Sequence, residues 1–219
     1  MLKYPCLVLD HDDTTVNSTA TVHYPAFVEF MKIYRPDLSM TLEEYFRYNF
    51  DPGVIPFFRD ICGLTETEMK EEEIFWNRFV QDRVPEAYPG IREIIVEQKQ
   101  RGGKVCVISH SFSRNIRRDY RKNGLAEPDM IFGWEALPEQ RKPSVWPLEQ
   151  IMKTFGFRPE EMLVVDDLKP GYDMARAAGI PFAAAGWAND IAEIEQFMRK
   201  NCGLYFKTVP ELRKYLFGE

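Results

Sequence analysis

A basic surplus, patterned cysteines or histidines, and long apolar runs are what this sequence has little of. Lysine and arginine number 28 against 34 acids, for a net charge of −6. That balance gives no electrostatic footprint for nucleic acid or an anionic membrane. With only three histidines, none paired at metal-ligand spacing beside a carboxylate, a zinc site is not expected. Cys6, Cys62, Cys106 and Cys202 are widely spaced, and two of them fall inside apolar, strand-like runs. No disulfide framework or Cys-x-x-Cys pair is visible, so buried free thiols in a reducing compartment are expected. No segment approaches the about 20 apolar residues that span a bilayer. The stretch before Asp10 is too short and too soon acidic for a secretory signal. A cytoplasmic protein with small-molecule partners is the expectation.

What is present suits a globular protein. The 219 residues are 45% hydrophobic and 28% charged, enough for a good core in one domain plus an insertion. The apolar run Cys6-Leu7-Val8-Leu9 reads as a short buried strand and stops abruptly at Asp10, Asp12 and Asp13. Carboxylates so close together repel one another. They persist in solvent, as an ordinary acidic turn, or where a cation neutralises them. In the second case one carboxylate can attack an electrophile while another handles protons, with Mg2+ holding the site together.

The rest of the chain separates into a helical insert and an alternating core. Tyr24, Phe27, Val28, Met31 and Tyr34 recur at helical spacing until Pro36. Thr41 with Glu44 predicts a capping box before a second helix through Phe50, and a third helix is expected from about Val54 to Cys62. Thr65 with Glu68 opens a fourth, with Ile74, Phe75, Phe79 and Val80 on one face. Residues 19–88 therefore read as a helical unit, in which Arg47, Arg59, Lys70 and Arg78 are solvated charges. Beyond it, strands are expected at 104–108, 130–132, 162–165, 181–185 and 204–206. Helices are expected near 113–123, 145–155, 193–200 and from Thr208 to near Phe217. Apolar strands alternating with helices mean a parallel sheet covered on both faces, with ligands beyond the strands' carboxyl ends. Asp10, Ser109 and the pair Asp166-Asp167 all fall there.

Four of these stretches resemble, in order, the motifs of the haloacid dehalogenase-like (HAD) hydrolase superfamily, phosphoglycolate phosphatase-like and beta-phosphoglucomutase-like group. Asp10-His11-Asp12-Asp13-Thr14 resembles motif I, and Ser109 at a strand end resembles motif II. Lys142-Pro143-Ser144 resembles motif III. Asp166-Asp167 with Gly171 and the small-residue helix ending in Ala178-Gly179 resembles motif IV. Dehalogenating members lack the second aspartate, so Asp12 points to phosphoryl chemistry. Asp13 stands where many members have Gly, Thr15 replaces the usual apolar residue, and Leu168 takes a place often held by Ser.

The resemblance implies a doubly wound α/β core (1–18 and 89–219) with a helical C1 cap (19–88) inserted after the first strand. It implies an Mg2+-dependent phosphatase acting on a small phosphorylated metabolite, with Asp10 as nucleophile and Asp12 as acid and base. Ser109 and Lys142 hold the transferring group. The metal is held by Asp10, the Asp12 carbonyl and Asp167, with Asp166 direct or through water. His110, where relatives often have Asn, is expected to neighbour the phosphate or simply to pack. A phosphomutase would use the same core, but the mutase's cap-linker His falls at Val22, one position from His23. A non-catalytic binding protein would be free to lose Asp10, Asp12 or Lys142, and all are present. The sequence names neither the substrate nor the oligomeric state.

Overall fold

The helix signals after Ser18 all become helices in a computed structural model of the chain, which describes residues 2–218. Two units emerge, Ser18–Pro85 on one side and Met1–Asn17 with Glu86–Glu219 on the other. In the first, a π-type turn at Thr19–His23 runs into α1 (Tyr24–Tyr34), followed by α2 (Leu42–Phe50). The short α3 (Val54–Pro56) continues as a second π-type turn over Phe57–Ile61, and α4 (Glu66–Val80) closes the unit. Thr41 with Glu44 and Thr65 with Glu68 form the reciprocal boxes that satisfy the first free N–H groups of α2 and α4.

Aromatic rings make this unit's core: Phe27, Phe30, Tyr45, Phe57 and Phe58 are buried with Met31, Cys62 and Leu64. The expected face of α4 is corrected in one respect. Phe75 stacks toward Phe30 and Phe79, whereas Ile74 is 53% exposed, because adjacent helical residues point about 100° apart. His23 accepts a hydrogen bond from Trp76 Nε1 at 3.0 Å and stacks on its ring.

The other unit is built on a six-stranded, wholly parallel sheet. Its strands are β1 (Cys6–Leu9), β2 (Lys104–Ile108), β3 (Met130–Phe132), β4 (Met162–Asp166), β5 (Phe182–Ala185) and β6 (Leu204–Phe206). The spatial order is β3-β2-β1-β4-β5-β6. β1 is central, with Leu9 beside Val107 on one side and Val165 on the other. Helices α5 (Ile91–Gln100), α6 (Ser113–Lys122), α7 (Trp146–Phe155), α8 (Lys169–Ala177), α9 (Ala192–Asn201) and α10 (Val209–Phe217) connect and cover it.

Leu7, Leu9, Val105, Val107, Leu163 and Val165 bury one sheet face against Ile91, Ile94 and Ile95 of α5, Ile116 of α6 and Leu212 of α10. The alternate residues Val8, Cys106 and Val164 are buried too, as a sheet covered on both sides requires. The sequence reading assigns no element to 91–100. The reason is Gln98, a polar residue in the helix's apolar stripe, which is buried and donates to the carbonyls of Tyr4 and Pro5. All four cysteines are buried free thiols. Cys6 lies close to Cys106, and this neighbour together with burial pushes its thiol far up. Among the described residues no helix is long and apolar enough to cross a membrane.

Candidate active site

The strand register explains why distant aspartates meet. β1 and β4 are neighbours and end level, Leu9 beside Val165, so Asp10 and Asp166 emerge side by side at the sheet's carboxyl edge. Asp10 N donates to Val165 O at 2.9 Å, fixing that alignment one residue past the strand. Asp167 follows immediately, and one carboxylate oxygen from each of Asp10, Asp166 and Asp167 falls within 4.8 Å of the others. All three side chains are buried.

One cation sits among them. Lys142 Nζ donates to Asp10 Oδ1 at 2.8 Å and to Asp166 Oδ2 at 2.7 Å, with its side chain only 3% exposed. The two carboxylates together hold the ammonium charged and its pKa well above the ordinary lysine value, overcoming the penalty of burial. The acids are affected the other way. Burial raises Asp10 well above the usual carboxylate range despite Lys142. Asp167 is raised by burial and by its neighbours Asp13, Asp166 and Asp10.

Local backbone chemistry holds each acid in place. Asp13 has φ +57°, the left-handed region where Gly, Asn and Asp are the residues tolerated, which is why it can stand where many relatives have Gly. Thr15, the departure from an apolar residue, is wholly buried with its hydroxyl satisfied by Asp10 O at 2.6 Å. Thr14 Oγ1 donates to Asp167 Oδ1 at 3.2 Å, and Trp187 Nε1 donates to Thr14 O at 3.1 Å. Leu168 N, at the start of α8, donates to Asp166 Oδ1 at 2.9 Å. A Cβ on Gly171 would lie 2.0 Å from Asp166 Oδ2, so the first turn of α8 reaches the carboxylate only because that residue is glycine.

The Asp12 carboxylate faces different partners. Its Oδ2 accepts from Ser111 Oγ at 2.7 Å and from Ser109 Oγ at 3.1 Å. Ser109 Oγ in turn accepts from Ser111 N at 3.0 Å. Asp12 is therefore oriented by two hydroxyls, and its charge still acts on Asp10.

The histidines near these motifs pack rather than ligate. His11 is buried, with Nε2 3.1 Å from Asp119 Oδ2 on α6 and its ring against Tyr120. His110 lies edge-on to Trp134, its Nε2 3.4 Å from Lys142 O. Burial and the Lys142 charge push its pKa down to about 3, so the ring is neutral at physiological pH.

The donor set fits a hard divalent cation. Three buried carboxylates converge, Lys142 supplies a single positive charge, and Asp167 Oδ2 is buried without a hydrogen-bond partner. All-oxygen, acid-rich donors of this kind suit Mg2+. Of the residues expected from sequence, Asp10, Lys142, Asp166 and Asp167 are brought into one group, and Ser109 and Asp12 into an adjoining one. Ser111, Thr14 and Trp187 are the site residues the sequence reading did not single out. Ser111 had a signal, because a serine just past a strand commonly accepts in a turn from the N–H two residues on, which brings Ser111 beside Ser109. Trp187 had none, being remote in the chain.

The family model of the haloacid dehalogenase-like hydrolases matches residues 7–185. Pyrophosphatase PpaX of Bacillus cereus (strain AH820) is 24% identical over 192 residues, 85% of either chain. Phosphoglycolate phosphatase of Haemophilus influenzae (strain 86-028NP) is 30% identical over 123 residues, 53% of either chain. A solved structure from Bacteroides fragilis, assigned as a haloacid dehalogenase-like hydrolase, superposes with a TM-score of 0.81 at 18% identity. It covers 96% of this chain and 100% of its own, a likeness of fold.

Proposed function

Because the chain belongs to the haloacid dehalogenase-like hydrolases, we propose that it is an Mg2+-dependent phosphatase working through an aspartyl-phosphate on Asp10. Its substrate class is a small phosphorylated metabolite. The observation that supports this most is the division of the acids. Asp10 is clustered with Lys142, Asp166 and Asp167, while the Asp12 carboxylate accepts from two serine hydroxyls.

In this reading a carboxylate oxygen of Asp10 attacks phosphorus as the bond to the leaving oxygen breaks. Asp12, as the acid, gives its proton to that oxygen. A water then attacks the aspartyl-phosphate, Asp12 takes its proton, and the bond from phosphorus to Asp10 breaks, returning both carboxyls to their starting states. Lys142 offsets charge on the transferring group, and Ser109 donates to one of its oxygens. Asp10, the Asp12 carbonyl and Asp167 would hold Mg2+, with Asp166 direct or through water. When bound, the ion supplies charge neutralisation at the acids and the phosphoryl oxygens.

The unit Ser18–Pro85 takes the sequence position of the family's C1 cap, and we assign it that role. The pyrophosphate and phosphoglycolate named for the relatives are the first compounds to try.

Phosphate release from a panel of phosphorylated metabolites and pyrophosphate, with and without Mg2+, tests the reading. Metal-dependent turnover abolished by Asp10→Asn is expected. No release from any compound by protein shown to be folded would sink it.

A further inference from the structure

We propose that Ser111 is a positioning residue that holds Asp12 on the leaving oxygen throughout the reaction, leaving Ser109 free for the phosphoryl group. The inference rests on the phosphatase reading above and deepens it.

A serine hydroxyl has one proton to donate and lone pairs to accept with. Ser109 Oγ spends its proton on Asp12 Oδ2 at 3.1 Å and accepts from Ser111 N at 3.0 Å. If Ser109 is to donate to a transferring phosphoryl oxygen, it must release Asp12. One carboxylate oxygen would then lose a donor at the moment its direction matters.

Ser111 removes that conflict. Its hydroxyl makes the shorter contact with the same Asp12 oxygen, 2.7 Å. Its carbonyl is pinned by Trp134 N at 3.0 Å, and its side chain is buried, 4% exposed. The close approach of that loop depends on Gly133, where a Cβ would lie 2.7 Å from Ser111 O. Ser111 N also occupies a lone pair of Ser109, which aims Ser109 without consuming its proton. Two hydroxyls on one strand end thus divide the work. Ser111 keeps Asp12 aimed, and Ser109 turns between Asp12 and the phosphoryl group.

Leaving-group chemistry separates this from a structural role. An alkoxide needs the proton that Asp12 gives, whereas p-nitrophenolate departs readily without one. Ser111→Ala is compared with Ser109→Ala, Asp12→Ala and the parent protein. The substrates are p-nitrophenyl phosphate and the fastest alkyl phosphate of the metabolite panel, with melting temperature measured on each variant. Ser111→Ala is expected to lower kcat/KM, which reports formation of the aspartyl-phosphate and not the later hydrolysis where Asp12 is base for both substrates, about 10-fold or more for the alkyl phosphate while p-nitrophenyl phosphate changes less than about 3-fold, following the kcat/KM selectivity of Asp12→Ala. Ser109→Ala should slow both substrates, because both need the phosphoryl group held. Equal slowing of both substrates by Ser111→Ala, or slowing of neither, while Asp12→Ala remains selective, overturns the Ser111 role alone. Loss of selectivity in Asp12→Ala as well overturns the acid–base assignment and the Ser111 role with it.

Discussion

Replacing Lys142 by methionine tests the electrostatics of the site most directly. The side chain is 3% exposed and makes two charge-assisted hydrogen bonds, to Asp10 at 2.8 Å and Asp166 at 2.7 Å. Methionine matches its length and apolar stem but leaves the buried carboxylates without their cation. Removing one partner of a buried ion pair costs about 3–5 kcal/mol, because the remaining charge is uncompensated. For a chain of 219 residues that lowers Tm by roughly 6–20 °C.

Two dependences distinguish this cause from lost packing. The first is Mg2+: without the neighbouring ammonium the acids should bind it more tightly, and a tenfold gain in affinity narrows the deficit by about 1.4 kcal/mol. The second is pH. Burial already holds Asp10 and Asp167 above the usual carboxylate range, and removing Lys142 takes away the charge that opposes this. A folded state that binds protons the unfolded chain releases gains stability as pH falls, so the deficit should shrink from pH 7 toward pH 5. Urea unfolding of Lys142→Met and the parent, in chelator and in excess Mg2+ at both pH values, measures all of this. A loss under about 1 kcal/mol, or a deficit indifferent to Mg2+ and pH, would refute the reasoning. Turnover should stay low even where stability recovers, since Mg2+ does not replace the phosphoryl contact of the ammonium.

Thr14→Val removes the hydroxyl that orients Asp167 at 3.2 Å, and it should raise the half-saturating Mg2+ concentration about 10-fold with little change in kcat at saturating metal. A magnesium titration of phosphate release checks it. His110→Gln should change how stability depends on pH. The folded His110 has a pKa of about 3, against about 6.5 unfolded, so the unfolded chain binds the extra proton between these values and His110 costs stability as pH falls through that window. Tm of the variant relative to the parent should therefore rise from pH 7 to pH 4, and a constant difference would count against a buried neutral ring.

The sequence carried the sheet because its signals are local. Runs such as Val105-Cys106-Val107-Ile108 and Met162-Leu163-Val164-Val165 are apolar at every position, as strands buried on both faces are, and each stops at a polar turn. The strand-end positions of Asp10, Ser109 and Asp166 followed from those boundaries. What it did not carry depended on tertiary geometry. The helix at Ile91–Gln100 was hidden because Gln98 serves Tyr4 and Pro5 from within the apolar stripe. Ile74 looked like a core residue until the packing of Phe75 fixed the helix's rotation. Trp187 entered the site from the loop after β5 through a contact no pattern announces, a hydrogen bond to Thr14 O.

The charge arrangement also explains why one lysine does not complete the site. Asp10, Asp166 and Asp167 are all buried, and Lys142 bonds only the first two. Asp167 depends on Thr14 for one oxygen, and its other oxygen is buried with no hydrogen-bond partner. An ionised carboxylate left in that condition costs several kcal/mol, so without a further cation Asp167 is driven toward its protonated form, the direction of its raised pKa. A divalent ion at that oxygen reverses the drive, because its charge favours the ionised acid and its coordination satisfies the orphaned atom. Lys142 and a metal would therefore share the work of neutralising the cluster. In the proposed reaction the lysine would compensate the side facing Asp10 and Asp166 and an ion the side facing Asp167, and both fields would help Asp10 attack an electron-rich phosphate.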